Sequence, residues 1–249
     1  MTKLFTGKVA LVTGGSRGLG AATAKALAEQ GADVALSYVF AEEQAQNVIE
    51  YVTAQGVRGE AFQADQADVD AAQSLIDRVM AKFGRIDILI NNASIDQLGR
   101  VDDPARDAEA FDRFWAVTLS GFMATVRAAS KVLSEQGRIV MIGSNLGNRP
   151  GMSGIADLAA LRAAIDGYSR GVARDLAERN ITVNVVHAGF MKTDLNAHLR
   201  DALAPLVERL CFPRFGRLEE VVAPILFLAS PAASYITGTI IDADGGYNI

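Results

Sequence analysis

The sequence is poor in cysteine, and it lacks the long apolar runs of membrane proteins. Cys211 is the one cysteine among 249 residues, which excludes a disulfide within the chain and is typical of a reducing compartment. The chain goes from Met-Thr-Lys-Leu-Phe-Thr-Gly-Lys directly into a strand pattern, without the features of a signal peptide. No apolar run reaches the length that spans a bilayer. We therefore expect a cytoplasmic protein that makes no membrane contact.

Clustered positive charge and metal ligands are also scarce. Lys and Arg number 24 against 29 Asp and Glu, a formal net charge of −5, and the basic residues are scattered. This distribution lacks the basic stripe of a nucleic-acid-binding protein. His187 and His198 are the two histidines, and with a single cysteine they form no ligand cluster. We expect neither a nucleic-acid partner nor a metal site.

What the sequence does contain is a regular alternation of short β-rich apolar runs and longer helical patterns. The predicted strands are Lys8–Thr13, Asp33–Tyr38, Arg58–Gln63, Ile86–Asn91, Arg138–Ile142, Thr182–His187 and Thr239–Asp242. The predicted helices are Gly18–Gln30, Glu42–Gln55, Val69–Phe83, Asp107–Glu135, Leu158–Glu178 and Leu218–Ala229. Because several strands are almost continuously apolar, helices are expected on both faces of a parallel sheet, with right-handed crossovers. The predicted fold class is α/β, a Rossmann-type doubly wound parallel sheet of seven strands.

The chain shows no linker, repeat or low-complexity segment, so we expect a single dinucleotide-binding domain over residues 1–249. The stretch Phe190–Phe215 interrupts the alternation and contains Pro205 and Pro213. Long loops in compact domains are usually lids or binding loops. Residues 190–215 are therefore predicted to close over a substrate, and their apolar side chains favour an apolar or aromatic small molecule.

The first predicted strand leads into Thr13-Gly14-Gly15-Ser16-Arg17-Gly18-Leu19-Gly20, which opens the first predicted helix. A glycine-rich loop in this context is typical of dinucleotide binding. Gly14 permits a tight turn, Gly18 lets the backbone approach a pyrophosphate, and Gly20 allows the helix to pack closely on the strand. The phosphates would meet free N–H groups at the helix N-terminus.

The spacing Thr-Gly-x-x-x-Gly-x-Gly resembles the short-chain dehydrogenase/reductase family, in particular its 3-oxoacyl-acyl-carrier-protein reductase-like members. Further segments carry the resemblance along the chain in the family's order: Asp65, Asn91-Asn92-Ala93-Ser94, residues 181–190 with Thr193-Asp194, and residues 229–246. The resemblance implies an oxidoreductase that uses a nicotinamide dinucleotide. The residues assigned to the cofactor by the loop and the resemblance are Gly14, Ser16, Arg17, Gly18, Leu19, Gly20, Ser37, Asp65, Asn91, Ala93, Arg162, Gly189 and Thr193.

The end of the second strand bears on the choice between NADP and NAD. It reads Leu36-Ser37-Tyr38 and has no acid to bind a ribose 2′-hydroxyl. Arg17, inside the glycine loop, could pair with a 2′-phosphate. Similar loops in the family go with NADP. We predict NADP(H) as the cofactor, with NAD as the alternative.

The family's chemistry uses a serine, a tyrosine, a lysine and an asparagine. Ser144 matches the serine, which holds the substrate oxygen. Alignment back from Ala173-Arg174-Asp175 places Leu158 at the tyrosine and Arg162 at the lysine. Thr118 falls at the asparagine. The other register, counted thirteen residues forward from Ser144, gives Asp157 and Leu161, and neither register supplies tyrosine and lysine.

Leu158 cannot donate a proton, and Arg162 keeps a positive charge that it does not give up near pH 7. Two other residues are candidate proton carriers. Asp157 adjoins the tyrosine position, although it could instead cap the helix. His187 ends the sixth strand, where such folds place ligands, although a packed, hydrogen-bonded histidine is an equal interpretation. The candidate catalytic residues are therefore Ser144, Arg162, Asp157 and His187.

Three functions fit this pattern. The first is an NADP(H)-dependent reductase of a carbonyl or a conjugated ring, with a proton source other than tyrosine. The second is a non-redox enzyme on the same scaffold, such as an isomerase, cyclase or dehydratase, and the third is a catalytically inactive dinucleotide-binding protein. The resemblance implies a homotetramer formed through the helices at residues 107–135 and 158–178, with a dimer as the alternative.

Overall fold

A computed structural model describes residues 3–193 and 200–249 of the chain, apart from the side chains of Arg200 and Ala202. In these residues seven strands form one sheet in the order β3-β2-β1-β4-β5-β6-β7, and every neighbouring pair is parallel. The strands are β1 Val9–Val12, β2 Asp33–Tyr38, β3 Gly59–Gln63, β4 Ile86–Asn91, β5 Leu133–Ser144, β6 Thr182–Ala188 and β7 Ile240–Ala243. The predicted fold class is confirmed.

The α-helices lie between the strands and cover the sheet on both sides. They are α1 Gly18–Glu29, α2 Glu42–Ala54, α3 Val69–Phe83, α4 Ala108–Trp115, α5 Phe122–Val132, α6 Ala156–Asp175, α7 Arg200–Val207 and α8 Leu218–Ala229. A π-helical turn, Ala116–Gly121, joins α4 to α5. Short 3₁₀ turns follow β5, α6 and α8.

Alternating residues of each strand supply two apolar layers, because successive side chains of a strand point to opposite faces. On one face Val12 of β1 belongs to the same buried cluster as Leu27 of α1 and Ile225 of α8. On the other face Leu11 of β1 clusters with Val79 of α3 and residues of α5 and α6. The order of the strands reverses between β1 and β4. Open α/β sheets bind ligands beyond the carboxyl ends of the strands at such a reversal.

Most predicted elements are observed within one or two residues of their predicted ends, and the bounds of β2, β4, α3 and α8 are the same. The predicted helix Asp107–Glu135 was wrong in two respects. The π turn interrupts it after Trp115, and it ends at Val132, because Leu133 pairs with Ile86 as the first residue of β5. The predicted lid, residues 190–215, contains α7, while residues 194–199 lie outside the described part of the chain.

A buried carboxylate ties the start of β1 to β4, the two strands at the reversal. Asp87 accepts hydrogen bonds from Val9 N at 3.0 Å, Arg85 Nε at 2.8 Å and Lys8 Nζ at 3.3 Å. Burial raises the pKa of Asp87, but the hydrogen bonds from Arg85 and Val9 and the charges of Lys8 and Arg85 outweigh burial and leave this pKa below 3.8. The ionised form of Asp87 is therefore the form that the fold stabilises.

We expect Asp87→Asn to lower the free energy of unfolding at pH 7 by about 1–3 kcal/mol, because it removes a charged acceptor from a buried site. Since the pKa of Asp87 is lower when folded, its contribution is present above the unfolded pKa of about 4 and is lost as the pH falls through the folded pKa. Urea unfolding at several pH values measures both effects.

Asp102→Asn is the matched control, because Asp102 is 64% exposed in an ion pair with exposed Arg100. Its effect should stay within about 0.5 kcal/mol. Equal stabilities of the two variants at pH 7 would show that Asp87 does not tie the strands together.

Candidate functional site

A cleft of about 750 Å³ opens at the carboxyl edge of the sheet. Its walls come from the loops after β1, β2, β4, β5 and β6 and from the first two turns of α6. Twelve of the thirteen residues assigned to the cofactor line this cleft, and the exception is Asn91. The lining also includes Ser144 and Leu158. One cleft thus contains the glycine loop together with Ser144 and Leu158, the residues that the resemblance aligns with the family's serine and tyrosine.

The glycine loop passes close to the strand ends and to the start of α1. A Cβ on Gly20 would lie 2.3 Å from the carbonyl oxygen of Gly14, so this contact requires glycine. Gly14 has a φ of +62° and a position for a Cβ only 2.9 Å from Cα of Ala93. The N-terminus of α1 has no side-chain cap and no acid in its first turn. Its N–H groups are therefore suited to bind an anion, and the residues present fit a dinucleotide pyrophosphate.

Buried side chains of β1 and β4 hold the loop from behind. Thr13 Oγ1 donates to Asn91 Oδ1 at 3.1 Å and accepts from the backbone N of Asn92 at 2.9 Å and of Ala93 at 3.0 Å. Asn91 Nδ2 donates to Phe122 O at 2.9 Å. Asn91 is fully buried, and both its amide oxygen and its amide nitrogen form hydrogen bonds. It therefore lies behind the cleft and supports the glycine loop, and it is not part of the cleft lining.

The outer end of the cleft is bordered by Ser37, Tyr38, Phe40 and Asp65 with its partner Arg113. Arg113 Nη2 donates to Asp65 Oδ2 at 3.1 Å. Phe40 is 87% exposed at this rim. Sequence reasoning missed Phe40 and Arg113, because neither lies in a motif and both reach the rim through the path of the chain.

Ser144 is the last residue of β5, and its side chain faces the cleft. Ser144 Oγ accepts from Leu146 N at 3.3 Å and donates to Asn145 Oδ1 at 3.4 Å. Asn145 is buried, and its Nδ2 has no hydrogen-bond partner. The backbone of Leu146 and the side chain of Asn145 together orient the serine hydroxyl in the cleft.

The N-terminal half of α6 forms the wall opposite the loops. Leu158 lines the cleft and is 4% exposed, in an apolar cluster with Phe111, Phe114, Ile155 and Leu161. Of the two registers considered above, Leu158 and Arg162 line the cleft, whereas Asp157 and Leu161 are absent from its lining.

Arg162 is 6% exposed, one turn of α6 after Leu158. Its Nη2 donates to Asp96 Oδ1 at 3.1 Å and to Ser94 Oγ at 3.4 Å, while its Nε has no partner. Asp96 and Ser94 follow β4, so the ion pair joins α6 to the loop after this strand. The buried Nε carries a hydrogen-bond donor that no described group accepts.

Thr118, at the family's asparagine position, does not face a ligand site. It is fully buried in the π turn, and its Oγ1 donates to Ile95 O at 3.2 Å. Its polar atom therefore stabilises the loop after β4.

The structure does not bring the other two catalytic candidates to the cleft. Asp157 accepts from Arg106 Nη1 and Nη2, both at 3.0 Å, and from Trp115 Nε1 at 3.3 Å. The hydrogen bonds from Arg106 hold the pKa of Asp157 below its ordinary value, with Trp115 adding and burial opposing. Asp157 lies in the first turn of α6, whose N-cap is Ile155. Asp157 therefore lies outside the cleft lining, where it could have donated a proton, and it is not the N-cap of α6.

His187 is fully buried beneath the sheet edge, outside the cleft lining. Its ring contacts Asp166 and Asp242, and its surroundings are those of a packed, hydrogen-bonded histidine. Among the described residues, no three His, Cys, Asp or Glu side chains are grouped to hold a metal ion. Within the same residues, no helix combines the length and the apolar character needed to cross a bilayer.

The fold and this cleft define a class of protein: a Rossmann-type α/β protein with a dinucleotide site at its strand reversal. Comparison with known proteins narrows the class. A family model described as enoyl-(acyl carrier protein) reductase matches residues 14–248. The chain is 39% identical to the 3-oxoacyl-[acyl-carrier-protein] reductase of Synechocystis, over 99% of this chain and 98% of the relative.

Solved structures agree with this result. A short-chain dehydrogenase of Burkholderia cenocepacia in complex with NADP superimposes with a TM-score of 0.93 at 41% identity, covering 99% of this chain and all of that one. A blue fluorescent protein from a metagenomic library, in complex with NADPH, gives a TM-score of 0.94 at 36% identity, with coverages of 99% and 100%. The chain belongs to the short-chain dehydrogenase/reductase family, as its motifs predicted.

We expect Gly20→Ala to weaken NADPH binding by about tenfold or more, which corresponds to about 1.4 kcal/mol. The added methyl group must displace the Gly14 carbonyl and with it the turn that faces the phosphates. Isothermal titration calorimetry measures the affinity, and circular dichroism checks the fold.

Gly171→Ala is the control, because Gly171 lies in α6 and a Cβ there would meet nothing within 4 Å. This change should leave the affinity for NADPH unaltered. An undiminished affinity in Gly20→Ala would contradict the proposed role of the loop.

Proposed function

We propose that this protein is an NADP(H)-dependent oxidoreductase that reduces a carbonyl or a conjugated ring without a tyrosine as proton donor. The observation that supports the proposal most directly is that the glycine loop, Ser144, Leu158 and Arg162 all line one cleft. The reductase names of the relatives and the NADP and NADPH complexes of the structural neighbours support the same reaction class.

NADP is the cofactor that this site favours. The end of β2 presents Ser37 and Tyr38 to the cleft. Neither residue is acidic, so the end of this strand would not repel a 2′-phosphate. Arg17 is exposed on the loop and lines the same end. A guanidinium can bind a phosphate through two parallel hydrogen bonds, a gain that NAD cannot provide.

The chain's own residues then divide the work of reduction. NADPH, when bound, supplies the hydride. Ser144 donates a hydrogen bond to the substrate oxygen, and Arg162 places a permanent positive charge near the negative charge that develops there. Leu158 contributes an apolar surface and no proton, so the proton comes from water or from the substrate itself. A conjugated ring suits this site because its reduced product is a stable enolate or phenolate.

The substrate half of the cleft is apolar. Leu146, Met152, Ile155 and Leu158 line it, and Leu203 of α7 joins them from within residues 190–215. We propose that these 26 residues form the substrate lid of a single domain spanning residues 1–249. The substrate is accordingly an apolar or aromatic small molecule. The assembly proposed from the family resemblance is a homotetramer formed through α4–α5 and α6.

The reaction is tested by following NADPH absorbance with a panel of ketones, enones and quinones. We expect stoichiometric loss of NADPH with at least one of them, and Ser144→Ala should lower kcat by about 10²–10³-fold. Product formed without loss of NADPH would favour a non-redox enzyme. Binding of NADPH without any product across the panel would favour an inactive dinucleotide-binding protein.

The double variant Leu158→Tyr with Arg162→Lys shows whether the site is specialised or degraded. A specialised site should lose native activity when a phenol enters the apolar wall and the Arg162–Asp96 pair is broken. A gain of activity in the double variant would contradict the proposal that Leu158 and Arg162 are specialised for the native reaction.

The cofactor preference makes a separate prediction. Arg17→Ala should weaken NADPH binding by about ten- to a hundredfold, the range for losing a charge-assisted hydrogen bond of about 1.5–3 kcal/mol, and should leave NADH binding unchanged. Arg100→Ala is the control, because Arg100 is 63% exposed and is not part of the cleft lining. Equal losses for NADPH and NADH in Arg17→Ala would rule out a 2′-phosphate contact.

A further inference from the structure

A fully buried histidine lies between two carboxylates from two different elements. His187 of β6 is 0% exposed, with Nε2 at 2.8 Å from Asp166 Oδ1 of α6 and Nδ1 at 2.8 Å from Asp242 Oδ1 of β7. The side chain of Asp166 is 6% exposed, whereas that of Asp242 is 39% exposed at the sheet edge. We call these three residues the Asp–His–Asp clamp.

The clamp is aligned with the residue that precedes Ser144. Gly143 of β5, His187 and Asp242 are neighbours across three adjacent strands. A Cβ on Gly143 would lie 2.6 Å from Cδ2 of His187, so the imidazole ring occupies the space that a side chain at position 143 would need. The ring therefore packs directly against the end of β5 that carries the serine.

The clamp also reaches the cleft through α6. Asp166 is one helical turn beyond Arg162, and both side chains are buried. Residues four apart lie on the same face of a helix. The position of Asp166 against β6 therefore sets the position of Arg162 against the loop after β4.

The geometry fits a charged imidazole between two ionised carboxylates. A carboxylate only accepts hydrogen bonds, and an imidazole has N–H groups at both nitrogens only when it is protonated. Among the described residues, the charged groups facing the ring are Asp166 from α6 and Asp242 from β7, while β5 contributes Gly143. Val186, the residue before His187 in β6, packs in the same cluster as residues of α8. Because successive strand residues point to opposite faces, α8 lies on the face of the sheet opposite His187.

We propose that the Asp–His–Asp clamp is a positioning device that holds Arg162 and Ser144 in register for the nicotinamide half of the cofactor. This inference rests on the proposed function. An apolar contact in the same place would tolerate sliding of α6 on the sheet, whereas two short ionic hydrogen bonds specify one geometry. The clamp touches neither substrate nor cofactor, and it acts through Arg162 and Ser144.

The fold favours the charged form of His187. Burial lowers the pKa of His187, but the hydrogen bond and charge of Asp166, followed by those of Asp242, outweigh burial and raise this pKa above 6.5. Because the pKa is raised on folding, the stabilisation is fully present below the unfolded pKa and is lost as the pH rises through the folded one. The clamp should therefore loosen as the pH rises through the folded pKa of His187.

The first test is the titration of His187 by NMR. The chain has two histidines, so His198→Gln leaves a single imidazole signal to assign. We expect this signal to titrate above 6.5 and to move to lower pH in Asp242→Asn, which removes one carboxylate at an exposed edge. Asp102→Asn, remote on the surface, should leave the titration unchanged. Titration at or below 6.5 would overturn the charged clamp.

The second test separates positioning from general stability. NADPH fills both halves of a dinucleotide site, whereas adenosine 2′,5′-bisphosphate fills only the adenine half. His187→Gln and Asp166→Asn should weaken NADPH binding by about tenfold and leave the affinity for the bisphosphate unchanged. For the wild-type protein, the affinity for NADPH divided by the affinity for the bisphosphate should fall as the pH rises through the pKa of His187 measured by NMR. If His187→Gln and Asp166→Asn do not fold, the same two affinities are measured for Asp242→Asn, whose side chain is partly exposed.

Unchanged NADPH affinity in all three variants would overturn the positioning role. Equal weakening for NADPH and the bisphosphate would replace it with a merely structural one. A wild-type protein that binds the bisphosphate and not NADPH would likewise contradict positioning of the nicotinamide half. If the wild-type protein binds neither nucleotide, the proposed function itself fails, and the positioning role fails with it.

Discussion

The cleft depends on the hydrogen bond between Thr13 and Asn91, which joins the carboxyl ends of β1 and β4. These strands are neighbours in the sheet although α1, β2, α2, β3 and α3 separate them along the chain. Thr13 and Asn91 are both buried, and together they fix the strand ends from which the glycine loop and the loop after β4 start. If the two ends separated, the wall made by Ala93 and the turn at Gly14 would no longer meet.

The opposite wall of the cleft combines an apolar surface with one buried cation. Leu158 belongs to an apolar cluster and has no group that could donate a proton. Arg162 keeps a cation one turn away, but Asp96 and Ser94 now share its donors. A cation that is held by an anion still stabilises developing negative charge, and it does so from a fixed position. In the reaction proposed above, this wall would assist through its charge and not through proton transfer.

Buried charged groups join several elements that are distant along the chain. Asp87 joins the starts of β1 and β4, and His187 joins α6, β6 and β7. Apolar residues make up most of the core and supply most of the stability. Burial of apolar area has no preferred direction, however, so it does not by itself specify how two elements are aligned. The ionic contacts are directional: Asp87 aligns the amino ends of β1 and β4, and His187 aligns the carboxyl end of β6 with α6 and β7.

From the sequence alone followed the parallel sheet, the dinucleotide loop, the family and the cleft-lining positions of Ser144, Leu158 and Arg162, because strand and helix periodicity and glycine spacing are local properties of the chain. The break in the helix after Trp115 did not follow, since pairing of Leu133 with Ile86 and the π turn depend on distant residues. Only the tertiary structure decided that Asp157 pairs with Arg106, that Asn91 lies behind the cleft and that His187 meets two carboxylates. Each of these partners is far away along the chain, and no local pattern encodes which distant charge a buried side chain will meet.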